Sequence, residues 1–122
     1  MLTAFTDYMI YTRGAQDDWD RYGSLTGDDG WKWSNIETYA KKLENFTNSP
    51  HVQNANSKFV SSVHSTKGPV GAGLPQVTLA IDDIGLKAQE ELSDEFAFNQ
   101  DVNSGDMIGF SASAPPFPEI PN

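Results

Sequence analysis

The 122-residue sequence contains no cysteine. This absence excludes disulfides, thiolate zinc sites and cysteine-held iron–sulfur clusters. Basic residues are also few, since 8 Lys and Arg stand against 17 Asp and Glu, and the formal net charge is −9. Nucleic-acid phosphates and anionic membrane surfaces are bound through clustered basic side chains, so we expect neither as a partner.

Long apolar runs and phosphate-binding glycine motifs are missing as well. No stretch approaches the length of a membrane span. The N-terminal segment has no basic region, and Asp7 interrupts its apolar residues, so it does not read as a signal peptide and leaves the localisation open. Neither G-x-G-x-x-G nor G-x-x-x-x-G-K-[ST] occurs, and Gly68–Gly73 reads as a turn-rich connector.

Two helices are predicted in the first half of the chain. Gln16–Leu25 can form a short helix with acidic residues in its first turn. Thr26–Trp31, with two glycines around two aspartates, predicts a turn. The S-x-x-E pattern at Ser34 predicts a capping box that starts a second helix, whose apolar stripe runs to Phe46 and whose end we expect near Asn48.

The second half predicts one more helix and little sheet. A helix is expected from Asp82 or Asp83, with Ile84, Ala88, Leu92 and Phe96 at every fourth position. Short strands are expected within Lys67–Val77 and over Met107–Ser113, separated by the loop Phe98–Asp106. The result is an α+β class with two main helices, short strands and long loops. Loops this long are typical of a site or an interface, so the pattern predicts a layer that packs on something else.

No complete active site or metal site can be assembled from the residues. His51 and His64 lie thirteen apart in polar segments without partners at metal-ligand spacing, which favours surface or structural roles. The segment from Asp101 resembles the start of a calcium loop, but Asp106 and Ala112 stand where that loop needs Gly and Glu, and a polar turn is favoured. The tryptophans, Trp19, Trp31 and Trp33, could stack on a sugar, although core packing is the favoured interpretation. We therefore predict no catalytic residue and no metal ligand.

The residues from Tyr8 to Phe46 resemble the glucose–methanol–choline (GMC) family of FAD-dependent oxidoreductases, and within it the aryl-alcohol oxidases. Tyr8-Met9, Arg13-Gly14, the run Asp18–Tyr22 and the Gly30-Trp31-x-Trp33 motif carry this resemblance. Similar segments follow in the same order at Val63–Val70 and Asp94–Ser113, so the resemblance covers most of the chain.

The resemblance implies a part of a flavoenzyme whose cofactor is FAD. It places Asp7 against the flavin and Tyr8 in the alcohol pocket, and it makes Asp7, Tyr8, Arg13 and Gly14 the cofactor-binding residues. It also implies that this stretch begins the flavin cap, that the family substrate is a small aromatic alcohol, and that family members are often secreted. The family's N-terminal Rossmann motif and its C-terminal catalytic histidine have no counterpart in this sequence.

Two readings remain open. In the first, residues 1–113 are an internal piece of an FAD-dependent alcohol oxidoreductase without turnover alone, and residues 114–122 are a disordered proline-rich tail. In the second, the chain is a stand-alone, non-enzymatic interaction protein derived from a truncated GMC gene. If this segment normally packs against an FAD domain, its apolar helix faces are partly exposed in isolation, and we expect self-association unless the chain has repacked; the contributing residues are Ile36, Tyr39, Leu43, Ile84, Leu92 and Phe96.

Overall fold

The computed structural model describes residues 11–47, 57–74 and 79–111. Within them lie three α-helices, two short strands and two 3-10 turns. In chain order these are α1 (Gln16–Thr26), a 3-10 turn (Asp29–Trp31), α2 (Trp33–Leu43), β1 (Glu44–Thr47), β2 (Val70–Gly73), α3 (Ala80–Glu91) and a 3-10 turn (Val102–Ser104). The α+β class predicted from the sequence is confirmed. No helix in the described ranges is long and apolar enough to cross a membrane.

Helix α2 begins and ends differently from the prediction. Its N-cap is Lys32, which makes no side-chain cap bond, and Ser34 lies inside the helix. The expected capping box is therefore wrong, because Asp20 of α1 accepts the Trp33 amide at 2.9 Å and satisfies the helix start from outside. The helix also ends at Leu43, before the expected Asn48.

The residues that follow α2 form strand β1, which explains the early helix end. β1 pairs in parallel with β2, and Glu44 lies opposite Val70 while Phe46 lies opposite Ala72. Phe46 thus belongs to a strand, where side chains alternate between two faces, and strand pairing overrides the helical spacing of the sequence. The expected strand within Lys67–Val77 is confirmed as β2.

A small apolar core surrounds the two strands. Phe46, Ala72 and Leu74 are buried together, and Phe59 packs against them. Gly68 lies where the chain passes the end of α2, and a Cβ there would come within 2.2 Å of the Leu43 carbonyl carbon. The close approach of these two backbones therefore requires glycine at this position.

The last third of the described chain is helix α3 followed by an irregular segment. α3 starts at Ala80, two residues before the expected start, and Asp82 accepts the Leu79 amide at 2.8 Å. The strand expected over Met107–Ser113 is wrong for the described residues up to 111, where Phe110 makes only a single bridge to Phe98. Side chains replace a sheet ladder here, since Asp106 accepts the Ile108 amide and Asn99 donates to the carbonyls of both residues.

Candidate functional site

A buried cluster of four charged side chains joins segments that are distant in the sequence. We call it the charge cluster, and its members are Arg13, Glu44, His64 and Asp101. Their side chains are at most 5% exposed to solvent. Burying charges is costly unless they are paired and hydrogen-bonded, so such a cluster dictates how the segments around it meet.

Arg13 enters the cluster from the segment that precedes α1. Its guanidinium donates to Glu44 Oε2 at 2.5 Å and to the Val63 carbonyl oxygen at 2.8 Å. Its backbone amide donates to Asn103 Oδ1 at 3.0 Å. Within the described part of the chain, Arg13 Nε is the one buried side-chain nitrogen or oxygen without a hydrogen-bond partner. The side chain and the backbone of Arg13 therefore hold this segment at three points.

Glu44 connects the cluster to the sheet. It is the first residue of β1 and its side chain points to the same buried face as Phe46. Besides Arg13, its carboxylate accepts the Ser65 amide at 3.1 Å and faces His64 Nδ1 at 2.9 Å. Both oxygens are thus used, and the strand register fixes their position.

His64 lies between two carboxylates. Its Nδ1 is 2.9 Å from Glu44 Oε1 and its Nε2 is 2.8 Å from Asp101 Oδ2. The ring stacks on Phe46, with centroids 4.1 Å apart, and meets the edge of Phe59 at 5.9 Å. The imidazole is therefore fixed in its plane by aromatic rings and at both nitrogens by acids.

Asp101 completes the cluster from the turn of residues 101–105. Its Oδ2 also accepts the Val60 amide at 2.9 Å, and its Oδ1 accepts the Asn103 amide at 2.9 Å. Asn103 is 2% exposed, and its side-chain oxygen accepts a hydrogen bond from the Arg13 amide. This is the segment that resembled a calcium loop, and its acid serves a histidine instead.

The pKa values of His64 and Asp101 shift in opposite directions. Burial lowers the pKa of His64, but hydrogen bonds to Asp101 and Glu44 outweigh burial and raise the pKa above its usual value. Burial raises the pKa of Asp101, but the hydrogen bonds from His64 and from the Val60 amide outweigh it and lower the pKa. The ionised form of each residue is therefore favoured by its partner.

Of the four residues predicted to contact the cofactor, two are described. Asp7 and Tyr8 lie outside the described residues, so the alcohol pocket predicted at Tyr8 lies there as well. Arg13 is in the charge cluster. Gly14 has a φ of +83°, and a Cβ there would lie 3.3 Å from the indole nitrogen of Trp19, so the turn into α1 accounts for the glycine.

Arg13, one of the predicted cofactor contacts, is engaged within the described residues. The Arg13 guanidinium is engaged by Glu44 and by a backbone carbonyl, and its side chain is 1% exposed. No group of three or more His, Asp or Glu in residues 11–47, 57–74 and 79–111 is placed to hold a metal ion. The cluster can hold a proton and fix a loop, and no reaction step through a flavin follows from it.

The tryptophans divide between packing and exposure. Trp33 is 7% exposed, as core packing predicts, whereas Trp31 is 41% exposed. Trp19 is half-buried, lies parallel to Trp31 with centroids 6.3 Å apart, and donates its indole N–H to the Arg13 carbonyl. Tyr22 meets Trp31 edge to face. The packing interpretation therefore holds for Trp33, and Trp19 ties α1 to the segment before it.

Sequence reasoning missed Glu44, His64, Asp101 and Asn103 as one group. Glu44 falls inside the second predicted helix, and His64 and the segment from Asp101 are predicted separately, as a surface or structural histidine and as a polar turn. The spacings of 20 residues from Glu44 to His64 and of 37 residues from His64 to Asp101 have no periodic signal. The sequence offers one clue. Glu44 stands two residues before Phe46, and an acid on the buried face of a strand requires a nearby cation such as Arg13.

Comparison with known proteins identifies the family. No protein-family model matches the chain. Pyranose dehydrogenase 3 of Leucoagaricus meleagris is 34% identical over 103 residues, which are 84% of this chain and 17% of that enzyme. Dehydrogenase eriK of Hericium erinaceus is 33% identical over 107 residues, which are 88% of this chain and 18% of that protein. The chain thus spans about one sixth of the length of these relatives.

Solved structures agree with the sequence matches. An FAD-dependent oxidoreductase from Chaetomium thermophilum superimposes with a TM-score of 0.72 at 30% identity, over 84% of this chain and 17% of that one. Pyridoxine 4-oxidase from Mesorbium loti superimposes with a TM-score of 0.62 over 83% of this chain, and its 24% identity supports the fold alone. The chain belongs to the glucose–methanol–choline family of FAD-dependent oxidoreductases, as the resemblance predicted, and matches one segment of such an enzyme.

Proposed function

We propose that this chain acts as the flavin-cap segment of an FAD-dependent oxidoreductase of CH–OH donors and has no turnover alone. The observation that carries the proposal is its homology to only 17% of pyranose dehydrogenase 3. A flavoenzyme needs a bound flavin to accept the hydride and a base to take the hydroxyl proton. The resemblance places both of these functions mostly in segments that this sequence lacks.

The surface of the described fold supports a role within a larger protein. Large apolar side chains are exposed on and after α3, including Ile84 at 61% and Ile108 at 84%. The others are Ile81, Leu92, Phe96, Phe98, Met107 and Phe110, together with Leu79 directly before the helix. Contiguous apolar surface of more than about a few hundred Å² is typical of an interface. We assign its occupant as the remaining polypeptide of the flavoenzyme, because the relatives are about six times longer than the matched segment.

The proposed flavin contacts keep the residues that the resemblance named. Asp7 and Tyr8 are proposed to face the flavin and the alcohol pocket once the remaining polypeptide is present. Gly14 provides the turn that leads into α1, and Arg13 anchors that turn through Glu44. The substrate class is an alcohol, with an aromatic alcohol favoured by the resemblance and a pyranose sugar by the relatives' names.

A flavin titration of the purified chain tests the proposal. We expect no saturable quenching of FAD fluorescence and no reduction of an acceptor dye by an aromatic alcohol or by glucose. The intact pyranose dehydrogenase 3 serves as the positive control for the dye-reduction assay with glucose. Saturable binding together with alcohol-dependent dye reduction would show a complete small enzyme and would overturn the proposal.

A further inference from the structure

We infer that His64 is a proton-dependent latch: as an imidazolium it joins β1 to the turn of residues 101–105, and its deprotonation releases that turn. The geometry of its hydrogen bonds carries this inference. Both ring nitrogens face carboxylate oxygens, which accept hydrogen bonds and donate none. A neutral imidazole has one N–H and can satisfy only one of these two contacts.

Protonation of a carboxyl group does not offer an alternative. Glu44 Oε2 already accepts from Arg13 and from the Ser65 amide, and Asp101 accepts from the amides of Val60 and Asn103. Backbone and guanidinium donors favour the ionised acid. The proton shared by these groups therefore resides on His64.

The charge balance of the cluster leads to the same result. Arg13 and the imidazolium offset the negative charges of Glu44 and Asp101, and these are the charged groups recorded in contact with His64 or with its carboxylate partners in the described structure. Loss of the proton would leave one buried negative charge without compensation, which is costly. The stacked Phe46 ring adds to the preference, since an aromatic face attracts a cation.

Release of this turn would also loosen the segment that precedes α1. Asn103 Oδ1 accepts the Arg13 amide at 3.0 Å, and the Gly105 carbonyl accepts the Gln16 amide at 2.8 Å. The turn of residues 101–105 thus holds the segment that follows Asp7 and Tyr8. That His64 positions the flavin contacts rests on the proposed function, whereas the latch itself does not.

Nitrogen NMR of ¹⁵N-histidine-labelled chain tests the latch without flavin. A His51→Gln variant leaves a single histidine and makes the assignment unambiguous. We expect both His64 ring nitrogens to carry protons at pH 7, with a titration midpoint above the ordinary value of about 6.5. A single protonated nitrogen at pH 7, or a midpoint at or below the ordinary value, would refute the latch.

An acid substitution and amide exchange separate the latch from a merely structural role. In the same His51→Gln background, Asp101→Asn should lower the His64 midpoint, while Asp94→Asn, which removes an exposed acid, should leave it unchanged. Above the midpoint, the protection factors of the amides that donate to this turn, those of Val60, Arg13 and Gln16, should fall, and those of α3 should not. Equal loss of protection throughout the chain would mean global unfolding and no latch. If Asp101→Asn does not fold, the titration of the parent chain decides alone.

Discussion

At the scale of single residues, the charge cluster joins four segments of this small fold. Each of its two carboxylates accepts at least two hydrogen bonds. Removing one charge leaves another buried without a partner, which is the expensive case for ion pairs. The partly exposed pair of Lys41 with Glu37 lacks this property because water can replace the partner.

Glu44→Gln should therefore destabilise the chain strongly. The variant leaves Arg13 and His64 facing a neutral amide, and we expect a loss of about 3–5 kcal/mol of unfolding free energy. The matched control Glu37→Gln, which breaks the partly exposed pair on α2, should cost at most about 1 kcal/mol. Urea unfolding of both variants measures the difference, and equal losses would contradict the account of the cluster.

Stability should depend on pH in both directions. The pKa of Asp101 is lowered by folding, so its contribution is present above about pH 4 and is lost as pH falls through the folded value. The pKa of His64 is raised, so its contribution is complete below about pH 6.5 and is lost as pH rises through the folded value. Urea midpoints should form a plateau between these limits. A His64→Gln variant that keeps the alkaline decline would exclude His64 as its source.

At the scale of elements, the sequence predicts the helices and strands that local patterns determine. It does not predict the boundaries that tertiary contacts determine. Helix α1 and the strand in Lys67–Val77 were found because acids at a helix start and glycine turns act locally. The end of α2 was misplaced because pairing with β2 and the ion pair of Glu44 convert a helical stripe into a strand. Strand β2 and Arg13 both lie far from Glu44 in the sequence, so a local pattern cannot reveal these contacts.

Gly68→Ala tests the close approach between the backbone just before β2 and the backbone at the end of α2. The added methyl would lie 2.2 Å from the Leu43 carbonyl carbon, so backbone must shift and the pairing of β1 with β2 should weaken. We expect a loss of about 1–3 kcal/mol in thermal or urea unfolding. Gly85→Ala in α3, whose methyl would meet only the side chain of the partly exposed Phe110, should cost no more than about 0.5 kcal/mol. Similar losses in both variants would mean that the approach is not tight.

At the scale of the whole molecule, the core of the described residues buries only part of their large apolar side chains. The buried apolar residues of the described chain centre on Phe46, Ala72 and Leu74, while most large side chains of α3 and the following segment are exposed. The sequence stripe Ile84, Leu92 and Phe96 was predicted to be exposed in isolation, and these three residues are at least 50% exposed in the structure. Without the remaining polypeptide, such a surface favours association between copies.

Sedimentation of the purified chain should therefore show concentration-dependent association. Ile84→Glu combined with Leu92→Glu should shift the chain toward the monomer, because two charges interrupt the exposed apolar surface. Leu25→Glu, at an exposed position on α1, serves as the control for added charge and should leave the association unchanged. A parent chain that stays monomeric at high concentration would count against an unfilled interface.

The most direct test of the central claim is a chimera of pyranose dehydrogenase 3 in which the matching part of this chain replaces the 103 residues to which it aligns. FAD content is measured as the ratio of flavin to protein absorbance after purification. A version with a flexible linker in place of the segment is the control. If the chain is the flavin-cap segment of such an enzyme, the chimera should retain FAD and the linker version should lose it. A chimera that folds but holds no more FAD than the linker version would contradict the account.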